Sequence, residues 1–164
     1  MSAARALAAG AAFGACALFG AVRKARAKRD AASLGSLAWD IREAERLLRM
    51  TNAPLSEITQ ELSEKGRMKP FWKAVGERME DGASAYAAYT ASPPQAAPEA
   101  LRVLDELFSS LGRGDSQTES KRLSAAADKL DALYSEAEKK AAEKGRITGA
   151  VSLLAGVAAA LLLL

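Results

Sequence analysis

The 164-residue sequence contains no histidine, and its single cysteine, Cys16, lies inside an apolar run. The first absence removes imidazole acid–base chemistry. The two together remove Cys–His nucleophiles, Cys/His metal sites and an intrachain disulfide. Aromatic residues make up only 5% of the chain while alanine is abundant, a balance that favours helices over a sandwich or barrel. No segment alternates with a period of two, and the phosphate-cradling pattern GxxxxGK[ST] does not occur. No catalytic residue, cofactor or metal ligand is expected. An enzyme would have to work with carboxylates and lysines alone, and nothing in their pattern supports one.

Charge is also missing from two long runs, one that follows Arg5 near the N-terminus and one at the C-terminus. Residues 147–164 (ITGAVSLLAGVAAALLLL) carry none. As a helix they would be about 27 Å long, close to the ~30 Å hydrocarbon core of a bilayer. Lys139, Lys140, Lys144 and Arg146 precede them. Residues 6–22 form a second uncharged run, followed by Arg23, Lys24, Arg26, Lys28 and Arg29. A cleaved leader would carry its positive charge before the apolar core, and here most of it comes after. Both flanks therefore predict membrane helices, at 1–22 and 147–164, with the intervening 23–146 in the cytoplasm and the two ends outside. Gly10 with Gly14, and Gly149 with Ser152 and Gly156, have the spacing that lets membrane helices approach closely, though an Ala/Gly-rich chain also produces such spacing by chance.

Between the basic clusters the balance reverses. Residues 30–138 hold 13 Lys and Arg against 19 Asp and Glu, a net of −6. A nucleic-acid binder would carry its positive charge on the folded part, so that class is set aside.

The middle reads as helices throughout. Leu34, Leu37, Ile41, Ala44 and Leu48 recur in steps of three and four, with Glu45 and Arg49 spaced for an i,i+4 pair beside them. Pro54 suits the first turn of the next helix, on which Leu55, Ile58 and Leu62 share a face up to Gly66. Pro70 opens a third helix with Phe71, Trp72, Val75 and Met79. A short helix bearing Tyr86 and Tyr89 follows Gly82. Trp39, some 17 residues beyond Val22, is too far along a helix to be a membrane-interface anchor and is expected in the core. Residues 92–98 (SPPQAAP) form the clearest linker. Pro98 starts a helix with Leu101, Leu104, Phe108 and Leu111 inward. Gly112 is placed as its C-terminal stop with positive φ, and Asp115 or Ser116 as the cap of the last helix, which carries Leu123, Ala126, Leu130, Leu133 and Ala137. The fold class is thus all-α, a compact bundle of about six helices between two transmembrane helices. Glu57, Glu61 and Glu64 line one helix face and Asp128 and Asp131 another. Solvated faces explain both sets, and they are the first places to look for a partner.

The order of these features resembles the stage III sporulation protein AB family. The resemblance is carried by the N-terminal apolar helix, the basic segment and the Leu-rich heptads. Ala53-Pro54-Leu55, Ala85-Tyr86 and Leu111-Gly112-x-Gly114-Asp115 follow, then a long amphipathic helix with Lys144 and Gly149. It departs at Tyr86, where the family usually has Trp, and at Gln117, which stands closer to the Asp than the family's Gln. The resemblance implies a subunit of the complex joining mother cell and forespore in endospore-forming bacteria, resident in the mother-cell membrane around the forespore. It implies a cytoplasmic domain similar to that of the type II secretion and type IV pilus platform protein. The implied partners are a cytoplasmic ATPase, stage III sporulation protein AA, and other membrane subunits. That platform protein carries two copies of the domain and this chain one, which implies a homo-oligomer. A docking platform is the expected role. A membrane-tethered helical spacer and a carboxylate-based membrane enzyme are the alternatives.

Overall fold

The computed structural model describes the backbone of residues 3–163 and the side chains of residues 22, 25, 26 and 28–143. Six helices account for the chain: α1 (Ala3–Thr51), α2 (Leu55–Lys65), α3 (Lys69–Glu80), α4 (Ala85–Ala91), α5 (Pro98–Ser110) and α6 (Ser116–Leu163). No strand occurs among the described residues. The chain divides into two compact units, Asp30–Ser135 and the two ends, Met1–Arg29 with Glu136–Leu164. The expected membrane helices fall in the second unit, where the side chains of most residues, and of all but Val22 in the two expected spans, lie outside those described. Among the described residues no helix is long and apolar enough to cross a membrane.

The Asp30–Ser135 unit is built on the stripes read from the sequence. Leu34, Leu37, Ile41, Ala44 and Leu48 are all buried on α1, as are Ile58 and Leu62 of α2, Leu104 and Phe108 of α5, and Leu123, Ala126 and Leu130 of α6. The scarce aromatics are concentrated here. The Phe108 ring stacks on Tyr89 with centroids 4.8 Å apart and meets Phe71 edge-on at 6.2 Å, while Trp72 sits 4.8 Å from Phe71. Tyr89 keeps its hydroxyl satisfied by donating to the Leu101 carbonyl at 3.1 Å, as a buried phenol must. Burial also pushes its pKa up.

Pro54 stands one position earlier than expected. With ψ at 155° it is the N-cap residue, and α2 begins at Leu55. Pro98 does occupy the first turn of α5. Gly82 and Gly112, with φ of 89° and 80°, stop α3 and α5 in the left-handed region, and Asn52 (φ 49°) does the same for α1.

Within this unit α1 and α6 run antiparallel. The Gly35 backbone faces the Tyr134 ring, Arg42 reaches Asp131, Glu45 accepts from Ser120, and Asn52 accepts from Ser116. As numbers rise on one helix they fall on the other. Asp30 and Ser135, the points where the chain enters and leaves the unit, therefore lie at the same end of it.

Candidate functional site

One residue on the apolar face of α1 breaks the pattern. Asp40 is wholly buried. Its Oδ1 accepts from the Arg67 amide at 2.7 Å, and its Oδ2 from the Met68 amide at 2.9 Å and the Trp72 indole N–H at 2.8 Å. Arg67 and Met68 form the turn between α2 and α3, where the amides have no helical carbonyl to use. A carboxylate, acceptor-only with two oxygens, answers three donors from one position. Gly66 makes the approach possible, because a Cβ there would fall 2.4 Å from the Leu62 carbonyl oxygen and 3.2 Å from Asp40 Oδ1. Asp40 thus ties α2 and α3 to α1.

The latch also sets what stands outside it. With its amide fixed, Arg67 sends its guanidinium over the indole of Trp39, 4.8 Å from the ring centroid. Trp39 is therefore half-buried beneath an arginine and not in the core, where the sequence placed it. The two border an open groove of about 470 Å³, lined further by Ala32, Gly35, Ser36 and Arg42 of α1 and by Asp131 and Tyr134 of α6. Arg42 is neutralised there: its Nε donates to Asp131 and its Nη2 to Asp128, each at 2.9 Å, and Asp131 first of all raises its pKa. Arg67 makes no ion pair among the described residues.

The two acidic faces expected from the sequence differ in kind. Asp128 and Asp131 are tied to Arg42 across the α1–α6 seam, so they are structural partners as well as solvated groups. On α2, Glu61 pairs with Lys65. The exposed side chains of Glu57 and Glu64 make no hydrogen bond or ion pair among the described residues, although Glu64 lies within electrostatic reach of Lys65. The small-residue pairs Gly10 and Gly14, and Gly149, Ser152 and Gly156, lie outside the residues with described side chains.

At the α5–α6 turn, Asp115 Oδ1 accepts from the Thr118 amide at 2.8 Å and caps α6, while Ser116 donates to Asn52 Oδ1 at 2.6 Å. Glu119, not anticipated from the sequence, reaches back under the turn. Its Oε1 accepts from the Gly114 amide and from Arg122, both at 2.8 Å, and Arg122 also donates to the Ser110 carbonyl. Its Oε2 is buried and has no hydrogen-bond partner among the described residues.

Asp40 and the Arg67–Trp39 pair were the residues missed. The available signal was an aspartate in register with Leu37 and Ile41, a buried-face position where a charge needs a reason. Nothing in this arrangement aligns an acid, a base and a nucleophile. It is a surface organised by a buried latch.

The family model for stage III sporulation protein AB (spore_III_AB) matches residues 5–164 of the chain. No curated protein and no solved structure matches it.

Proposed function

The chain belongs to the stage III sporulation protein AB family, and is in that sense a sporulation-stage protein. From this premise we propose that it is a non-enzymatic platform subunit of the complex between mother cell and forespore. In this reading two membrane helices hold the Asp30–Ser135 unit against the mother-cell membrane, where it docks a cytoplasmic ATPase, stage III sporulation protein AA. The observation that carries the reading is the antiparallel seam of α1 and α6, which brings Asp30 and Ser135, where the chain enters and leaves the unit, to one end of it. Each end continues through a basic cluster into an apolar stretch without a break in its helix. Two anchors leaving one end suit a domain that hangs from a single bilayer. The net charge of −6 over residues 30–138 favours a basic surface on the ATPase, with affinity falling as salt rises.

Reporter fusions at both ends and in the 92–98 linker test the topology. A linker reporter active only outside the cytoplasm overturns it. Docking is tested with the purified ATPase against two charge-reversed variants, one at Glu57 and Glu61, the other at Asp128 and Asp131. Because the second also breaks the Arg42 pairs, Arg42→Ala serves as its control. Loss of binding in either acidic variant but not in Arg42→Ala supports the reading. Unchanged binding in both removes its electrostatic part, and no interaction at all with the wild-type chain removes the ATPase as partner.

A further inference from the structure

We propose that the groove bordered by Trp39, Arg67 and Tyr134 is a docking site for a segment of a partner protein that carries one carboxylate among neutral residues, the carboxylate pairing with Arg67. The inference concerns this groove alone and not the ATPase, so either can fail without the other.

Charge complementarity comes first. The Arg67 guanidinium makes no ion pair among the described residues and lies 4.8 Å over the Trp39 indole. The backbone amide of the same residue is fixed by Asp40 at 2.7 Å. An arginine held at both ends loses little side-chain freedom on pairing, and its planar fork of N–H donors matches a carboxylate. Nothing else in the groove supplies that carboxylate. Asp131, the acidic residue of the lining, is held by Arg42, which also holds Asp128.

Shape sets the class of ligand. The lining runs along α1 from Ala32 to Arg42, about 15 Å of helix. A small molecule needs a pocket that buries most of its surface, which an open groove of this kind does not offer. An extended segment rises about 3.3 Å per residue and spans the same length with four or five residues. The walls beside Arg67 suit neutral neighbours of the carboxylate. The Tyr134 ring lies against Gly35, where an added Cβ would stand 3.2 Å from it, and Trp39 follows one turn later on α1. Ser36 spends its hydroxyl proton on the Ala32 carbonyl at 2.9 Å, which leaves its oxygen lone pairs for a peptide N–H. Aromatic rings with an arginine are the side chains in which protein interfaces are enriched. The surrounding unit limits how acidic the segment can be. Residues 30–135 carry 17 acidic against 13 basic side chains, so a run of carboxylates is repelled where a single one in neutral surroundings is not.

The experiment uses the full chain in detergent micelles and an array of fluorescein-labelled pentapeptides blocked at both ends. Each has Glu at its centre and varied neutral residues around it, and a matched array has Gln at the centre. Anisotropy titrations should find Glu peptides whose affinity falls as salt rises, with their Gln counterparts at least about tenfold weaker. Arg67→Glu should weaken the Glu peptides about tenfold or more. Arg67→Lys should weaken them about threefold or more, because lysine keeps the charge but loses the fork and the stacking. Arg102→Glu makes the same change in net charge at an exposed arginine outside the groove, and should leave binding within about twofold of wild type. Arg67 serves the Asp40 latch through its main chain, so its variants keep that contact, and thermal melts check that they fold. Should Arg67→Glu disturb the fold, Arg67→Gln gives the same reading. A wild-type chain that binds no Glu peptide of the array overturns the proposal. So do Gln peptides that bind equally well, binding indifferent to the Arg67 variants, or an equal loss in Arg102→Glu, which would reduce the effect to net charge.

Discussion

Asp40 joins α1 to the α2–α3 turn and to Trp72 of α3, and its removal has a definite form. Asp40→Ala would leave the Trp72 indole N–H without an acceptor in a buried place, and the Arg67 and Met68 amides without one in a part-buried place. Orphaned buried donors cost about 1–3 kcal/mol each, so a loss of roughly 3 kcal/mol or more is expected in chemical denaturation. Asp40→Asn keeps one acceptor oxygen but turns an NH₂ toward an amide that needs an acceptor, and should fall between Ala and wild type. Asp115 makes a contrasting case at the surface. Its hydrogen bonds to Thr118 hold its carboxyl below the ordinary carboxylate pKa. A carboxyl with a depressed folded-state pKa contributes stability in full above its unfolded value, and that contribution is lost as pH falls through the folded value. Melting temperatures of wild type and Asp115→Asn should therefore differ at neutral pH and converge only below about pH 4. A difference that persists to pH 2 would mean that the carboxyl's charge is not what matters. The cap was legible in the sequence because Gly-x-Gly-Asp before a helix is a local signal. Asp40 was not, because its three partners come from 27 to 32 residues away.

At the scale of elements, periodicity located the helices and their inward faces well. The five-residue stripe of α1 is buried as its spacing required, and Gly66, Gly112 and the prolines mark real ends. What periodicity could not show was how two ends of similar appearance differ physically. Gly112 lies at φ 80° with nothing within 4 Å of an added Cβ, so Gly112→Ala meets only backbone strain, about 1–2 kcal/mol. Gly66 has an ordinary φ of −65°, but its Cβ would collide with the Leu62 carbonyl beside the Asp40 latch. Gly66→Ala should be the more destabilising of the two in denaturant titrations, and it alone should lower the protection of the Arg67 and Met68 amides from hydrogen exchange. The misplacement of Trp39 has a similar cause. Its position on α1 is close enough to the buried stripe to read as core, and only the α2–α3 turn, brought in by Asp40, shows that an arginine covers it.

For the whole molecule, the all-helical architecture followed from composition and spacing, and the family from the order of short motifs. The mutual placement of α1 and α6 did not, since the contacts that fix it join residues 64 to 99 positions apart. Those contacts are largely polar and exposed: Arg42 with Asp128 and Asp131, and Asn52 with Ser116. Their individual worth is small, but they set the register in which two long helices meet. Replacing Arg42 with Ala should cost no more than about 1 kcal/mol in a denaturant titration. The antiparallel seam has a topological consequence. Because Asp30 and Ser135 emerge side by side, the unit is closed in space although open in sequence, and its order of reading along the chain is a matter of convention. Joining those two points by a short Gly/Ser linker and opening the chain within residues 92–98 should yield a circular permutant with the helix content and cooperative melting of the original order.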